Sequence, residues 1–411
     1  MPSPTEMLAS THLHALCEVS PDRRPGSPGN DEAAGYVAAE LRACGWSVSE
    51  PDFDVLDWTG SPGNVRVGRQ QWSLVPSPYT RGAEVTRRLA VARTRSDLDA
   101  DLRGKVVLLL DELASEQLTP IGYPFYDNPD HAELIDRLIE AKPRVVLAGT
   151  ASAPETAGAL DPFPLIEDGA FPVATGNLRV DDARALAEHA GSEVRVEMSA
   201  HRWPSKARNV VARMGPAAPR ALVVAHLDTK PGTPGAVDNA SGVVVLLLLA
   251  RALAAAGPFG LGVELLAVNG EDCYHPAGEL AYLREHGAHL DEIALVVNVD
   301  GAGYRSAGTA YSLYGVPDTL ANTVRASLAG ADRISEGPAW FQSDHMVFAQ
   351  RGVPAVAVTT DDLQTVLAEV AHSPHDVPAQ VDVTLLSGLA SALTGLVHAV
   401  ADHVTSRASG G

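Results

Sequence analysis

Residues able to bind a metal or move a proton stand at the ends of apolar runs in this chain, where charge is costly. The segment ALVVAHLDTKPGTPGAVDNASGVVVLLLLARAL, residues 221–253, closes an apolar run with His226-Leu-Asp228. It then crosses a Pro/Gly loop and reaches Asp238-Asn239-Ala-Ser-Gly242 just before a long apolar stretch. Residues two apart on a strand share a face, so His226 and Asp228 sit together. A neutral imidazole ligates a metal through one nitrogen while a carboxylate orients it through the other. Taken alone, DNASG reads equally well as a helix N-cap. The pattern recurs, however. VELLAVNGED ends in Glu271-Asp272, ALVVNVDGAG carries Asp300, and AHSPHDVP offers His372, His375 and Asp376. Carboxylates gathered at one sheet edge repel each other unless a cation sits among them. Two imidazoles with several carboxylates suit zinc. The donors outnumber those one tetrahedral ion takes, so two ions sharing a bridging carboxylate is the natural count.

The elements that must position these groups are readable. From ARNVVARM (207–214) onward, strands are expected at 221–226, 262–269, 294–299 and 354–359, with helices at about 239–256, 276–286, 317–329 and 381–405. This is α/β alternation with near-continuous apolar strands, which predicts a mostly parallel, doubly wound sheet covered on both faces. Ligands in such sheets collect at the carboxyl ends of the strands. Upstream, GNDEAAGYVAAELRACGW (29–46) predicts an amphipathic helix with Asn30 as N-cap and Gly45 at its end, and SVSEPDFDVLDW an edge strand. Between about 58 and 205 the texture changes to short segments. LRGKVVLLLDE (102–112) reads as a buried strand, 131–149 as a helix, a turn at Pro143 and another strand, and 181–191 as a helix.

The whole chain bounds the partners. It has 411 residues, enough for two domains. Its 31 Lys plus Arg against 51 Asp plus Glu give a net charge of −20. That excess argues against nucleic acid and anionic membranes, which need basic surface. No basic stretch followed by an apolar core opens the sequence, so no secretory signal is expected. The run SGVVVLLLLARALAAAG, broken by Arg251, reads as too short to span a bilayer. Three cysteines, Cys17, Cys44 and Cys273, are few and widely spaced, as expected for a reducing cytoplasm without a disulfide framework. No Gly-rich phosphate loop and no G-x-S-x-G elbow stands at a strand-to-helix turn.

The six motifs His-x-Asp, Asp-Asn-x-Ser-Gly, Gly-Glu-Asp, Asn-x-Asp-Gly, Ser-Asp-His and His-Ser-Pro-x-Asp occur in order over about 207–405. Together they resemble the family 28 metallopeptidases, zinc aminopeptidases with glutamate carboxypeptidase and glutaminyl cyclase relatives. SPDRRPGSPGNDEAAGYVAAELRACGW is similar to the usual opening of that family. The resemblance implies an α/β/α catalytic domain from 1–57 and 206–411, and a smaller protease-associated-like domain inserted at 58–205. It implies two zinc ions per chain. His226 and Asp300 would be terminal ligands of one, Asp272 and His372 of the other, and Asp238 would bridge both. Asp228 becomes the partner of His226, Glu271 the general base, and the Asp238–Asn239 bond cis. Asp272 stands where many members carry Glu, a side chain shorter by one methylene, roughly 1.5 Å of reach.

The implied activity is zinc-dependent hydrolysis of a peptide or amide bond at a free amino terminus. The alternative is a glutaminyl-cyclase-like enzyme or a specialised amidohydrolase on the same fold. Oligomeric state is not readable. Around the expected pocket, Asp344 and His345 of QSDHMVFAQRG and Asp361 of AVAVTTDD are candidates for substrate contact. For His345 the alternative is a side chain satisfied by Asp344, and for Asp361 a helix N-terminus. Relatives that cleave acidic residues place Arg at this last strand exit, and AVAVTTDD has none. His275, His286 and His289 are expected to be solvated or capping, and Cys273 to be a buried structural thiol.

Overall fold

In the computed structural model, which describes residues 2–150, 165–257, 260–273 and 276–408, the chain divides into two compact units. The first comprises Met1–Val55, Pro124–Tyr126 and Lys206–Gly411, and the second Leu56–Tyr123 and Asp127–Ser205. His275 lies outside the described residues.

The first unit is built on an eight-stranded sheet. Its four central strands, Gly262–Val268, Arg220–His226, Ile293–Val299 and Ala355–Thr360, run parallel in that spatial order. Val210–Met214 joins one side antiparallel and pairs in turn with Ser47–Ser49. Thr309–Tyr314 joins the other side antiparallel and carries Ile334–Glu336. The sheet is therefore mixed and mostly parallel. The strands and helices expected from 221 onward all form, with ends shifted by up to three residues. SVSEPDFDVLDW, expected as one edge strand, forms two: Ser47–Ser49 at the edge of this sheet and Asp52–Val67 in the barrel. The strands Thr309–Tyr314 and Ile334–Glu336 were absent from the sequence reading, because their short, half-polar stretches give no sustained alternation.

Alternate strand residues point to opposite faces. Val223, Leu265, Val297 and Val356 join one apolar core with the helices Pro4–His14, Pro28–Ala43, Ser241–Ala256, Asp318–Leu328 and Val383–Ala408. The opposite face includes Ala277–His286, whose Tyr282 ring meets Phe348 of His345–Ala349 at 5.8 Å between centroids. By length and composition Ala236–Ala256 and Val383–Ser406 are each apolar enough to cross a membrane, which corrects the expectation that the first run is too short. In the fold 72% of the first window is buried, as a core helix requires.

Pro28–Ala43 differs in its cap. Ser27, not Asn30, is the N-cap: its hydroxyl accepts from the Asn30 N–H at 3.1 Å, and Pro28 fills the first helical position, where no N–H is needed. Asn30 is buried instead and donates to the Arg23 carbonyl at 2.7 Å and to Asn269 Oδ1 at 2.6 Å. The three cysteines are free.

The second unit is a closed seven-stranded barrel. Val106–Leu109 lies between Ala83–Ala92 and Val145–Thr150, parallel to both. Val65, Leu74, Val85, Leu108, Leu147 and Val196 are among the residues of its own core. The helices Pro129–Ala141 and Val180–Ala187 match the expected positions.

Gly242 shows how closely the core helix approaches the sheet. A Cβ there would lie 2.3 Å from the Val299 carbonyl oxygen and 2.4 Å from Asn239 Oδ1. Gly242→Ala should lower unfolding stability by about 1–3 kcal/mol, read as a shifted denaturant midpoint. An unchanged midpoint would mean that the helix can move off the sheet without cost.

Candidate metal centre

Parallel pairing sets His226 opposite Val268 and Val299 opposite Val358, so the polar residues after these strands emerge along one edge. Asp238 stands at the centre of what gathers there. His226 Nε2 lies 3.1 Å from Asp238 Oδ1, and His372 Nε2 lies 3.0 Å from Asp238 Oδ2. Each imidazole faces a second carboxylate as well: His226 Nε2 is 3.3 Å from Asp300 Oδ1, and His372 Nε2 is 2.8 Å from Asp272 Oδ1. Glu271 Oε2 is 3.9 Å from His226 Nε2. His226, Asp238 and Asp272 present ligand atoms all within 4.8 Å of one another. His375, the neighbouring alternative, is exposed.

Asp272, Asp238 and Asp300 are held by backbone groups or by a second polar side chain. Both oxygens of Asp228 accept main-chain N–H groups, from Gly270 at 2.7 Å and Asp272 at 3.1 Å. Its distance to His226 Nδ1 is 3.7 Å, too long for a hydrogen bond. Asp228 thus fastens the turn carrying Glu271 and Asp272 more tightly than it touches His226. Drawn in this way, the shorter Asp272 side chain reaches His372. Asp376 works likewise on the central carboxylate, accepting the N–H groups of Val237 at 2.6 Å and Asp238 at 3.0 Å. The Ser343 hydroxyl donates to Asp300 Oδ2 at 2.7 Å and accepts from Asn298 Nδ2 at 2.8 Å. Asn239 donates to the Val299 carbonyl at 2.8 Å and accepts the Gly242 N–H at 3.0 Å, locking the helix start to the next strand. The Asp238–Asn239 bond is cis, as the resemblance implies.

Arg23 is fully buried beneath the loop between His226 and Asp238. Its guanidinium donates to the carbonyls of Leu227 at 2.8 Å, Pro234 at 2.9 Å and Gly235 at 2.8 Å. Gly235 has φ 58°, and a Cβ there would meet Thr229 Cγ2 at 2.2 Å and Arg23 Nη2 at 3.0 Å. The sequence reading missed Arg23, Ser343 and Asp376 as positioning residues. All three lie inside the motifs it quoted, but motif letters do not say which member holds a ligand and which holds the backbone.

The donors act strongly on one another's ionisation. Burial raises the Glu271 pKa; His226 opposes that, but Asp300 and Asp272 add to it, and the result is well above the usual carboxylate range. Burial raises Asp300 too, against an opposing His226. At Asp238 burial is outweighed by hydrogen bonds from His226 and His372, which hold its pKa well below that range. Both imidazoles go up despite burial, His226 through Asp300 and Glu271, and His372 chiefly through Asp272. Asp272 Oδ2 is buried and accepts no hydrogen bond among the described residues. A carboxylate whose two oxygens face different imidazoles, each imidazole with a further carboxylate, fits divalent ions held by N and O donors.

The other candidates sit differently. His345 is not satisfied by Asp344. Its Nε2 lies 3.0 Å from the Trp340 carbonyl oxygen, its Nδ1 lies 3.4 Å from Asn298 Nδ2, and its ring lies 4.6 Å from that of Tyr314. Burial lowers its pKa to about 4, so it stays neutral. Asp344 is fully buried. Asp361 is exposed and accepts the Gly308 N–H at 2.8 Å. The Cys273 thiol is buried, with Sγ 3.8 Å from the Thr229 carbonyl oxygen. His286 and His289 border the helix Ala277–His286, away from the donor cluster.

Residues 209–397 match the family model described as Peptidase family M28. The probable leucine aminopeptidase 2 of Aspergillus oryzae (strain ATCC 42149 / RIB 40) is 24% identical over 255 residues, 59% of this chain and 48% of that protein. The chain therefore spans about half the length of that curated relative. Among solved structures, BSAP, a zinc aminopeptidase from Bacillus subtilis, superposes with a TM-score of 0.73 at 18% identity, covering 95% of this chain and 94% of that one. The Porphyromonas gingivalis glutaminyl cyclase superposes with a TM-score of 0.52 at 15% identity, covering 96% and 99%. These structural likenesses establish a shared fold.

Asp376→Asn keeps the shape but turns an NH2 group toward one of the two N–H groups it now accepts. Metal affinity should fall about 10–100-fold, measured by competition with a chromogenic chelator. Unchanged affinity would mean that those contacts do not hold Asp238 in place.

Proposed function

Residues 209–397 belong to the M28 peptidase family, and from that premise we propose that the chain is a metallo-aminopeptidase that hydrolyses the peptide bond after a free amino terminus. One observation carries the reading: the two oxygens of Asp238 face His226 and His372 at 3.1 and 3.0 Å, and each imidazole has its own second carboxylate. His226 and Asp300 would hold one zinc ion, His372 and Asp272 a second, and Asp238 both. Bound there, the ions supply Lewis acidity that acidifies water and polarises a carbonyl. The rest falls to side chains of this chain. Glu271, beside the cluster but committed to none of its short contacts, accepts the proton of the attacking water and delivers it to the departing amine. Asp228 fixes the turn that aims Glu271, and Ser343 keeps Asp300 turned inward. The surplus of acidic groups favours a substrate presenting an ammonium group.

Hydrolysis of small-molecule amides remains within this chemistry. The barrel unit is proposed to be the protease-associated-like insert, and a cytoplasmic location is proposed from the cysteine content.

The test joins metal analysis to a screen of aminoacyl anilides against peptides with N-terminal Gln. About two divalent ions per chain, with anilide hydrolysis abolished by chelation, is the expected result. Cyclisation of the Gln peptides without hydrolysis would move the assignment to a cyclase. Activity surviving complete chelation would mean a serine or cysteine mechanism and reject the proposal.

Glu271→Gln is nearly isosteric and removes the proton acceptor, so turnover should fall about 10²–10⁴-fold with metal content retained. Asp272→Asn should lower metal occupancy first. If Glu271→Gln strips the metal and Asp272→Asn keeps it, the two roles are reversed.

A further inference from the structure

Beside the metal centre lie two carboxyls that the proposed reaction does not use. Glu279 sits in the first turn of Ala277–His286, and Asp344 directly follows Ser343. Both are buried, at 2% and 0% exposure. All four of their oxygens are shut off from solvent, and no N–H or hydroxyl donor bonds to any of them among the described residues. Glu279's own backbone N–H approaches its carboxyl without reaching hydrogen-bond geometry. The helices that carry them pack together, Tyr282 of Ala277–His286 against Phe348 of His345–Ala349 at 5.8 Å between ring centroids, and each carboxyl acts on the other's ionisation.

Two carboxylates cannot share a dry site as two anions. With no donor among the described residues, one of them must keep a proton and donate it to the other. We propose that Glu279 and Asp344 hold one proton between them as a singly charged acid pair, and that this bond ties Ala277–His286 to the Ser343 turn that orients Asp300. They are positioning residues, acting on the metal centre through Ser343. That last consequence rests on Asp300 being a metal ligand; the proton sharing does not.

The charged surroundings agree with one retained proton. Glu279 faces Asp344, Asp228 and Glu271, all acidic, and burial with these neighbours takes its pKa up to about 8 although the contact with Asp344 opposes the rise. Asp344 faces Glu279, His226 and Asp300; burial and then Glu279 push it well above the carboxylate range, with His226 opposing. The sign for stability follows. Between the ordinary 4.5 and about 8 the folded pair keeps at least the shared proton, which the unfolded chain has lost. The pair's contribution is therefore full below that window and is lost as pH rises through it.

Two conservative variants test this in the metal-loaded protein. In Glu279→Gln the amide can donate permanently to the Asp344 carboxylate, and in Asp344→Asn the same holds in reverse, so both keep one negative charge. Within the window, the infrared spectrum of the wild type should contain a protonated-carboxyl C=O band that both variants lack. Unfolding stability measured across the window should fall with pH more steeply in the wild type than in either variant. The ratio of wild-type to Glu279→Gln metal affinity should fall as pH rises past the window. Variant spectra that retain the band, or stability slopes equal to that of the wild type, would overturn the proton-sharing pair. A changed band and slope with an unchanged affinity ratio would overturn the link to Asp300. Failure to bind metal at all would reject the ligand assignment while leaving the band and the slope measurable.

Discussion

The structure turns on negative charge gathered where water cannot dilute it. Asp238, Asp272 and Asp300 converge on two imidazoles at a sheet edge, with Glu271 beside them, and Asp228 and Asp376 lie buried behind. Such a cluster is tolerated only if cations or protons divide the charge and donors meet the carboxylates around it. The fold supplies the donors from the main chain. Asp228 takes the N–H groups of the Gly270–Asp272 turn, and Asp376 takes those of Val237 and Asp238. The carboxylates behind the ligands therefore serve as anchors for backbone, and in doing so they fix the ligands.

This arrangement explains how one shorter side chain fits. Asp272 spans its gap because its own N–H is tied at 3.1 Å to Asp228, and because His372, with φ 56°, turns toward it to 2.8 Å. Around these groups run amide and guanidinium links. Asn269 receives Asn30 Nδ2 at 2.6 Å, donates to the Arg208 carbonyl at 2.6 Å, and takes the Asn209 carbonyl oxygen of the side chain on its N–H at 3.0 Å. Arg23 closes the loop on the other flank.

How much of this the sequence discloses depends on the range of each interaction. The central strands and helices were legible because their apolar runs are long and burial on both faces leaves few alternatives. The donors were legible because charge at the end of such a run is costly and needs a reason. Ser27 was overlooked as a cap because Asn30 is the stronger local candidate, and only the distant Asn269 shows why Asn30 is needed elsewhere. The alternative that pairs His345 with Asp344 fails for the same reason: Asp344 is adjacent in sequence, but Trp340 and Asn298 reach the ring. Edge strands such as Ile334–Glu336 owe their form to a neighbour rather than to their own pattern.

Asp238 is fastened from both directions along the chain: its loop is gripped by Arg23 across 212 positions, and its own N–H by Asp376 across 138. During synthesis, therefore, the central carboxylate exists long before its last anchor leaves the ribosome. Contacts of such span close late, since the entropy of the intervening chain must first be lost. The sheet and its core helix can assemble around an unfinished centre, whose geometry is complete only once Asp376 has joined it.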